Sequence, residues 1–285
     1  MEEVKLTNLG KLIERCWNQA EAETAKAVAE KYFSPNEDDV TFLFIGELGM
    51  AVDKASAARE VGKAFLTDLR RSIPSLDDAV AQRVSGRLVA RVNHYKRWYE
   101  GRTSASDVGI VIRRPLVQRT SYSTRVELHQ DHAIGLLAQA KLGHCAAETN
   151  SIYTWKSGLT RKQVRLFPER CDYYSLLLYR LAGDKELRPF LWQLCKSHTV
   201  EEVKHWLHSD TFPEEVSSSH VIQKLFAGTI GTKNKEVIQT IIDAPPSAAR
   251  FIDLHIFWPD DAAPPPFLQL QQHKQNKQIV QQLNR

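Results

Sequence analysis

SASDVGIVIRRP, residues 104–115, and GLLAQAK, residues 135–141, are the two segments from which we predict the core of the fold. The first is short, rich in β-branched residues and terminated by Pro115, a pattern that predicts a strand over residues 107–112. The second lies in an apolar run of the kind found in buried strands. The polar stretch between them, residues 116–131, is interpreted as a loop or a minor hairpin.

The second strand carries two polar side chains on one face. Because side chains along a strand alternate with a period of two, Gln139 and Lys141 share a face, and the apolar residues around them occupy the other. Burying both is costly unless a metal with bound water and a phosphate satisfies them. Asp107, at the start of the preceding strand, supplies an acid for such a metal. Metal-dependent phosphodiester hydrolysis needs these parts: an acidic cage, a group that orients water, and a cation beside the phosphate.

Asp107 followed by the tripeptide Gln139-Ala140-Lys141 resembles the PD-(D/E)XK nuclease superfamily. That superfamily is known for an acid at the head of one strand and a (D/E)xK tripeptide on the next, in an α/β (α+β) core of mixed sheet flanked by helices. The resemblance covers roughly residues 40–182. It implies Mg²⁺, with Mn²⁺ as a substitute, bound by Asp107 and Gln139, and a lysine, Lys141, that positions the attacking water and stabilises the transition state.

The chain departs from the superfamily pattern at Gln139, where the common residue is Asp or Glu. A QxK variant is found in some active members, in which the amide oxygen is a weaker ligand. The departure leaves two interpretations open, an active nuclease and a nuclease-like protein that has lost cleavage.

A further carboxylate, Glu47, lies in the almost wholly apolar run TFLFIGELGMAV, residues 41–52. An ionised carboxylate in such surroundings must be paired, protonated or bound to a cation. Many members of the superfamily carry a glutamate on a helix before the first catalytic strand, and there it approaches the metal. We therefore expect Glu47 to be a metal ligand; the alternative is an ion pair with an arginine of the basic segment described next.

Basic residues concentrate between Arg83 and Arg125, where the sequence has ten Lys or Arg and only two acids. The formal net charge of the whole chain is only +4. Apolar and basic stripes predict a helix over about residues 76–99. Such a cationic surface suits a phosphate backbone. In some superfamily members a helix after the lysine strand carries a glutamine toward the active site; Gln163 matches it, and a solvated amide is the alternative. The expected nucleic-acid contacts are Arg87, Arg91, Arg113, Arg114, Arg161, Lys162 and Gln163.

The rest of the chain reads as helices around this core. The pattern predicts an N-terminal amphipathic helix within residues 1–36, a nuclease-like core over 37–182, and a mainly helical region over 183–285. The core is expected to contain a long helix through residues 41–71, one beginning near Thr160 and one over residues 173–181. The last region is expected to contain a late strand over 251–258 and a flexible Pro/Gln-rich tail.

Composition and cysteine usage narrow the class of protein. The chain is 42% hydrophobic and 25% charged, which is ordinary for a globular domain. Its four cysteines form no CxxC pair, so neither a zinc ribbon nor a disulfide framework is indicated. No apolar run is long enough for a membrane span, and the N-terminus has acids where a secretory signal has bases. We therefore expect a cytoplasmic protein without membrane contact.

Three functions follow in order of preference. The first is a Mg²⁺-dependent endodeoxyribonuclease, for which defence against foreign DNA is a natural setting and an ATPase is a possible kind of partner. Cutting both strands with one site per chain favours a homo-oligomer. The second is a catalytically inactive, nuclease-like DNA-binding protein. The third is a helical protein–protein adaptor, supported by the predicted flanking helices and the modest net charge.

Overall fold

The computed structural model describes residues 2–30, 35–75, 86–95, 106–119, 124–145, 152–155, 175–183, 186–194, 215–244 and 249–258. Within these ranges the helices are α1 (Thr7–Glu30), α2 (Glu37–Ala57), α3 (Glu60–Ser72), α4 (Ser218–Ala227) and α5 (Lys235–Ile242). The strands are β1 (Glu2–Glu3), β2 (Gly86–Tyr95), β3 (Val108–Arg119), β4 (Thr124–Cys145), β5 (Ile152–Trp155), β6 (Ser175–Ala182), β7 (Leu191–Leu194), β8 (Glu215–Ser217) and β9 (Ala249–Trp258).

α1 confirms the predicted N-terminal amphipathic helix. The apolar residues that recur at helical spacing are all buried: Leu9, Leu12, Ile13, Cys16, Trp17 and Ala20. The first turn of the helix is held by Asp68 of α3, whose carboxylate accepts from the backbone N–H groups of Asn8 at 2.8 Å and Leu9 at 2.9 Å. A carboxylate at a helix N-terminus satisfies donors that have no partner within the helix and complements the helix dipole.

α2 begins at a capping box. The side chain of Asn36 accepts from the N–H of Asp39, and the side chain of Asp39 accepts from the N–H of Asn36. The long helix predicted through residues 41–71 is two helices, because the chain turns at Arg59, whose φ of 59° is left-handed. The turn separates α2 from α3 and lets both pack against α1.

The sheet is mixed, and its main strand order is β8-β7-β6-β4-β3-β2-β9. β1 pairs with β3 and β5 pairs with β4. β4 and β6 run parallel, and the other described pairs are antiparallel. The expected class, a mixed sheet flanked by helices, is confirmed.

The two faces of β4 meet different surroundings. Ala138, Ala140 and Leu142 belong to the core that the sheet shares with α1 and α2. On the other face, α5 lies so close to Gly135 that a Cβ there would stand 3.2 Å from Ile241. Gly135 has the same parity as Gln139, so α5 and Gln139 lie on one face of the sheet.

The predicted helix over residues 76–99 is wrong where the structure describes it, because residues 86–95 form β2. This strand pairs antiparallel with β3, Val92 opposite Ile110, and along its whole length with β9. The apolar residues that suggested a helix, Val84, Leu88 and Val92, are four apart. That spacing satisfies both one face of a helix and alternate positions of a strand.

The predicted helix over residues 173–181 is also wrong, because residues 175–182 form β6, which runs parallel to β4. Parallel strands are covered on both faces and are therefore continuously apolar, so their sequences carry no alternation. The region 183–258 contains β7, β8 and β9 beside α4 and α5, so its described part is mixed rather than mainly helical.

Two predictions about strands and loops are confirmed. The late strand predicted over 251–258 is β9. The polar stretch 116–131 forms a hairpin, in which residues 116–119 of β3 pair with residues 124–127 of β4. The helix expected near Thr160 and the C-terminal tail lie outside the described residues. None of the helices that the structure describes is long and apolar enough to cross a membrane.

Glu21 is a buried carboxylate that joins α1 to β7 and α4. It accepts from the indole N–H of Trp17 at 2.8 Å, from the backbone N–H of Phe190 at 3.1 Å, and from the hydroxyl of Ser218. Ser218 in turn accepts from the indole N–H of Trp192 at 3.1 Å. Burial raises the pKa of Glu21, and these hydrogen bonds offset only part of the rise.

We expect the contribution of Glu21 to stability to fall as the pH rises. The fold favours the protonated form, so the contribution is fully present below the ordinary value of 4.5 and is lost as the pH passes through the higher pKa of the folded state. Urea denaturation of wild type and Glu21→Gln across this range should show the variant gaining relative stability with rising pH. Parallel curves would contradict the assignment, and Glu30→Gln at the exposed end of α1 is the control.

Candidate metal and active site

A gap in the sheet beside β4 organises the candidate site. On one side of β4 the pairing with β3 ends where Val108 lies opposite Ala138, and the pairing with β5 starts at Gly143. Between these points the backbone N–H groups of Ala140 and Leu142 donate to side chains instead of a neighbouring strand. Each acceptor is a carboxylate.

Asp107 occupies the first half of the gap. Its backbone N–H donates to the carbonyl of Ala138 at 3.0 Å, which fixes the residue at the head of β3. One carboxylate oxygen, Oδ2, accepts from the N–H of Ala140 at 2.7 Å and from the side-chain amide of Gln139. Asp107 is only 5% exposed and Gln139 only 1%.

Glu37, the first residue of α2, occupies the second half. Its Oε2 accepts from the N–H of Leu142 at 3.2 Å, and its Oε1 accepts from Nζ of Lys141 at 3.1 Å. The lysine side chain is 2% exposed and the glutamate side chain 23%. A buried ammonium needs a close counter-charge, and Glu37 provides it.

The structure therefore brings together three of the four residues expected at the site. Asp107, Gln139 and Lys141 line one gap, with Gln139 and Lys141 two residues apart on the same face, about 7 Å from each other along the strand. The fourth member of the cluster is Glu37, which the sequence did not single out. The capping box marks the start of α2, but nothing in the sequence distinguishes Glu37 from the neighbouring Asp38 and Asp39 as the residue that reaches β4.

Glu47 is not brought to the gap. It lies ten residues after Glu37, about 15 Å further along α2. Its charged neighbours are Glu23 and Lys26 of α1. Burial raises the pKa of Glu47, Glu23 raises it further, and Lys26 partly offsets the rise. Glu37, rather than Glu47, is the glutamate of α2 that reaches the gap.

The sequence predicts a nucleic-acid contact at Arg114, but the side chain of Arg114 is buried in the fold and contacts other parts of the chain. It is buried and forms an ion pair with Glu3. Its guanidinium lies against Gly228, the left-handed C-cap residue of α4, and a side chain there would collide with it. A cation at a helix C-terminus complements the helix dipole. Burial lowers the pKa of Arg114, and Glu3 opposes that effect.

Of the other residues expected to contact nucleic acid, three lie on strands of the sheet and three lie outside the described residues. Arg87 and Arg91 are on β2, opposite Phe257 and Asp253 of β9, rather than on a basic helix. Arg113 is half-buried on β3. Arg161, Lys162 and Gln163 lie outside the described residues.

The donor atoms in the gap are of the type that Mg²⁺ binds. Within the described ranges no group of three or more His, Cys, Asp or Glu side chains gathers in one place. Mg²⁺, however, is commonly held by one or two carboxylates together with water and substrate phosphate. Gln139 points its Nε2 at Asp107; a half-turn of the amide would present Oε1 to a cation shared with that carboxylate. Asp107, Glu37 and Gln139 therefore fit a magnesium site by donor chemistry.

Comparisons of the chain with protein-family models, with curated proteins and with solved structures find no match. The gap contains two carboxylates, one amide and one ammonium, which come from α2, β4 and the residue that precedes β3.

A double-mutant cycle tests the pair formed by Lys141 and Glu37. Lys141→Met alone leaves the glutamate without its counter-charge and should lower the free energy of unfolding by about 2 to 4 kcal/mol. Adding Glu37→Gln should recover part of that loss, giving a coupling energy of about 1 to 3 kcal/mol. Urea denaturation of the four proteins measures it. Additive losses would show that the two charges do not interact in solution.

Proposed function

We propose that this protein is a Mg²⁺-dependent nuclease that hydrolyses phosphodiester bonds of DNA, built on a restriction-endonuclease-like core. The observation that carries the proposal is the meeting of Asp107, at the head of β3, with Gln139 and Lys141 on the adjoining strand. An acid at that position and a QxK tripeptide on the next strand are the features by which the chain resembles the PD-(D/E)XK superfamily.

Each residue of the cluster has a role in this proposal. Asp107, Gln139 and Glu37 would hold Mg²⁺, which lowers the pKa of a bound water and neutralises charge on the phosphate. Lys141 would hold the attacking water and stabilise the charge that develops on the phosphate oxygens. Glu37 has the most exposed side chain of the four, so cation and phosphate would reach the cluster from its side.

Glu37 also supplies what the resemblance calls for on the helix. It belongs to the helix that precedes the strand of Asp107, and its carboxylate contacts Lys141. Glu37 would therefore help to hold the cation while it keeps Lys141 in place, and the Lys141 ammonium would face the phosphate.

A nuclease-like protein that binds DNA without cutting it is the second candidate. Its support is that the four side chains pair among themselves, Gln139 with Asp107 and Lys141 with Glu37. Such pairing satisfies the buried groups without a cation, and the neutral Gln139 makes the cage weaker. The helical adaptor is disfavoured because the described residues are built around a nine-stranded sheet.

Cleavage of DNA tests the enzyme directly. Wild type incubated with plasmid and linear DNA should cut in Mg²⁺ or Mn²⁺ and not in EDTA. Lys141→Ala and Asp107→Asn should reduce the rate by at least about a hundredfold, the order expected for loss of one group that stabilises charge in the transition state. A wild type that cuts nothing under any condition while still shifting DNA would leave the inactive binder as the function.

Two glutamates on the same helix give a matched pair for this assay. Glu37→Gln should abolish most of the activity, whereas Glu47→Gln should keep it, because only Glu37 lies in the gap. Glu236→Gln, in the first turn of α5, controls for the loss of an acid near a helix N-terminus. Equal losses from Glu37→Gln and Glu47→Gln would argue against the placement of the metal at Glu37.

Thermal unfolding with Mn²⁺ separates metal binding from catalysis. A cation that binds only the folded chain raises its stability by about 2.7 kcal/mol at a hundred times its dissociation constant. The melting temperature of wild type should therefore rise with Mn²⁺, and that of Asp107→Asn should not. Asparagine can still accept from the N–H of Ala140, so this variant should fold. A wild-type melting temperature indifferent to Mn²⁺ would count against the metal.

A further inference from the structure

Two arginines, Arg180 near the end of β6 and Arg188 in the segment that follows, lie directly opposite each other. After β6 the chain turns back on itself: the N–H of Ala182 donates to the carbonyl of Glu186, and the N–H of Arg188 donates to the carbonyl of Arg180, each at 2.9 Å. Leu181 and Leu187 form the bridge between these two contacts. Arg180 and Arg188 are thus a cross-strand pair.

Like charges directly opposite each other on a sheet destabilise it. The two guanidiniums are oriented by different contacts: Arg180 donates from Nη2 to the carbonyl of Pro189, and Arg188 from Nη1 to the carboxylate of Glu186, both at 2.9 Å. A guanidinium carries five N–H donors, so one group can serve an intramolecular acceptor and an anion together. A bound anion between the two arginines would remove the repulsion.

The arginine pair lies on the same face of the sheet as the site. Lys141 is in register with Leu178, and Gly143 with Arg180, so Lys141 and Arg180 have the same parity. Leu181 and Leu187, with the opposite parity, belong to the core. The spacing of strands and residues puts the Cα atoms of Lys141 and Arg180 about 8 Å apart. Gly143 places no side chain between them.

We propose that Arg180 and Arg188 form a phosphate subsite, which holds a backbone phosphate next to the one that Lys141 faces. The proposal rests on the proposed function for its choice of a nucleic acid as ligand. Arginine suits this role because its planar guanidinium can form bidentate hydrogen bonds with phosphate oxygens. The side chain of Arg188 is 26% exposed and that of its partner Glu186 is 60% exposed, so a phosphate can reach the pair.

Among the described residues, Glu186 and Glu21 are carboxylates that act on these arginines. Glu186 holds Arg188 in an exposed ion pair, a kind of contact that contributes little to stability and yields readily to a stronger partner. Glu21 is close enough to Arg180 for the arginine to influence its titration. Glu186 thus competes with phosphate for Arg188. Its removal should strengthen binding of DNA.

The test is the salt dependence of duplex DNA binding by the full chain in EDTA, where hydrolysis does not occur. Each phosphate contact contributes about 0.9 to the slope of log K against log salt concentration. Arg180→Gln and Arg188→Gln should each weaken binding about tenfold and flatten the slope by about one contact. The double variant should flatten it no further, because both arginines hold one phosphate.

Matched variants make the result specific. Arg188→Lys should keep the salt-dependence slope, because the positive charge remains. It should lower the affinity for DNA, because lysine cannot form the bidentate contact that the guanidinium forms. Glu186→Gln should bind DNA more tightly. Arg71→Gln, at an exposed arginine in the last turn of α3, should bind as wild type does. Circular dichroism of each variant establishes that it is folded.

The outcomes separate the subsite from the nuclease. Wild-type slope and affinity in both single glutamine variants, additive slope losses in the double variant, or no binding of DNA by wild type at low salt would each overturn the subsite. Binding that depends on both arginines in a chain that never cuts DNA would support the subsite and defeat the nuclease. Cleavage of DNA that is unaffected by both substitutions would support the nuclease and overturn the subsite.

Discussion

Two backbone N–H groups of β4, those of Ala140 and Leu142, donate to carboxylates at the place where an antiparallel neighbour would supply carbonyl oxygens. Buried N–H groups must find acceptors, so any gap in a sheet has to be filled. Asp107 and Glu37 fill this one, and their second contacts fix Gln139 and Lys141. The position of α2 relative to the sheet, the end of β3 and the orientation of the site all depend on these bonds.

The same bonds explain how so much polarity survives in the interior. An unpaired buried charge costs several kcal/mol, whereas a paired and hydrogen-bonded one is tolerated. Lys141 has Glu37 as its counter-charge, and the carboxylate of Asp107 has two N–H donors. These contacts hold two carboxylates, one amide and one ammonium together in the gap beside β4. Because the same contacts stabilise the fold, only variants that change charge and keep shape can separate the stability of these groups from any chemistry they perform.

The sequence predicted the parts of the site that depend on local periodicity. Alternation along β4 placed Gln139 and Lys141 on one face, and the β-branched run after Asp107 predicted the first half of β3. The prediction that Pro115 ends this strand is wrong, because β3 continues to Arg119 with a shift of register between Arg113 and Pro115. The role of Glu37 could not be predicted from the sequence, because Glu37 contacts a residue 104 positions away and local patterns carry no information about such pairings. The sequence pattern predicts helices for two segments that are strands: residues spaced by four fit both periods in β2, and β6 is covered on both faces, so its sequence shows no alternation.

Within the buried part of β4, from Ala133 to Leu142, polar side chains begin where the pairing with β3 ends. From Gly135 to Ala138 the strand has β3 beside it, and α5 covers the face that Gln139 shares. From Gln139 onward that face carries Lys141, and the neighbouring strand carries Arg180 at the next position of the same parity. A longer β3 would pair the amides of Ala140 and Leu142 with carbonyls and displace both carboxylates. β3 begins only at Val108, opposite Ala138, and so leaves room for two carboxylates beside the next residues of β4. The late start of β3 is thus what allows Asp107, Gln139, Lys141 and Arg180 to follow one another as polar groups across β3, β4 and β6.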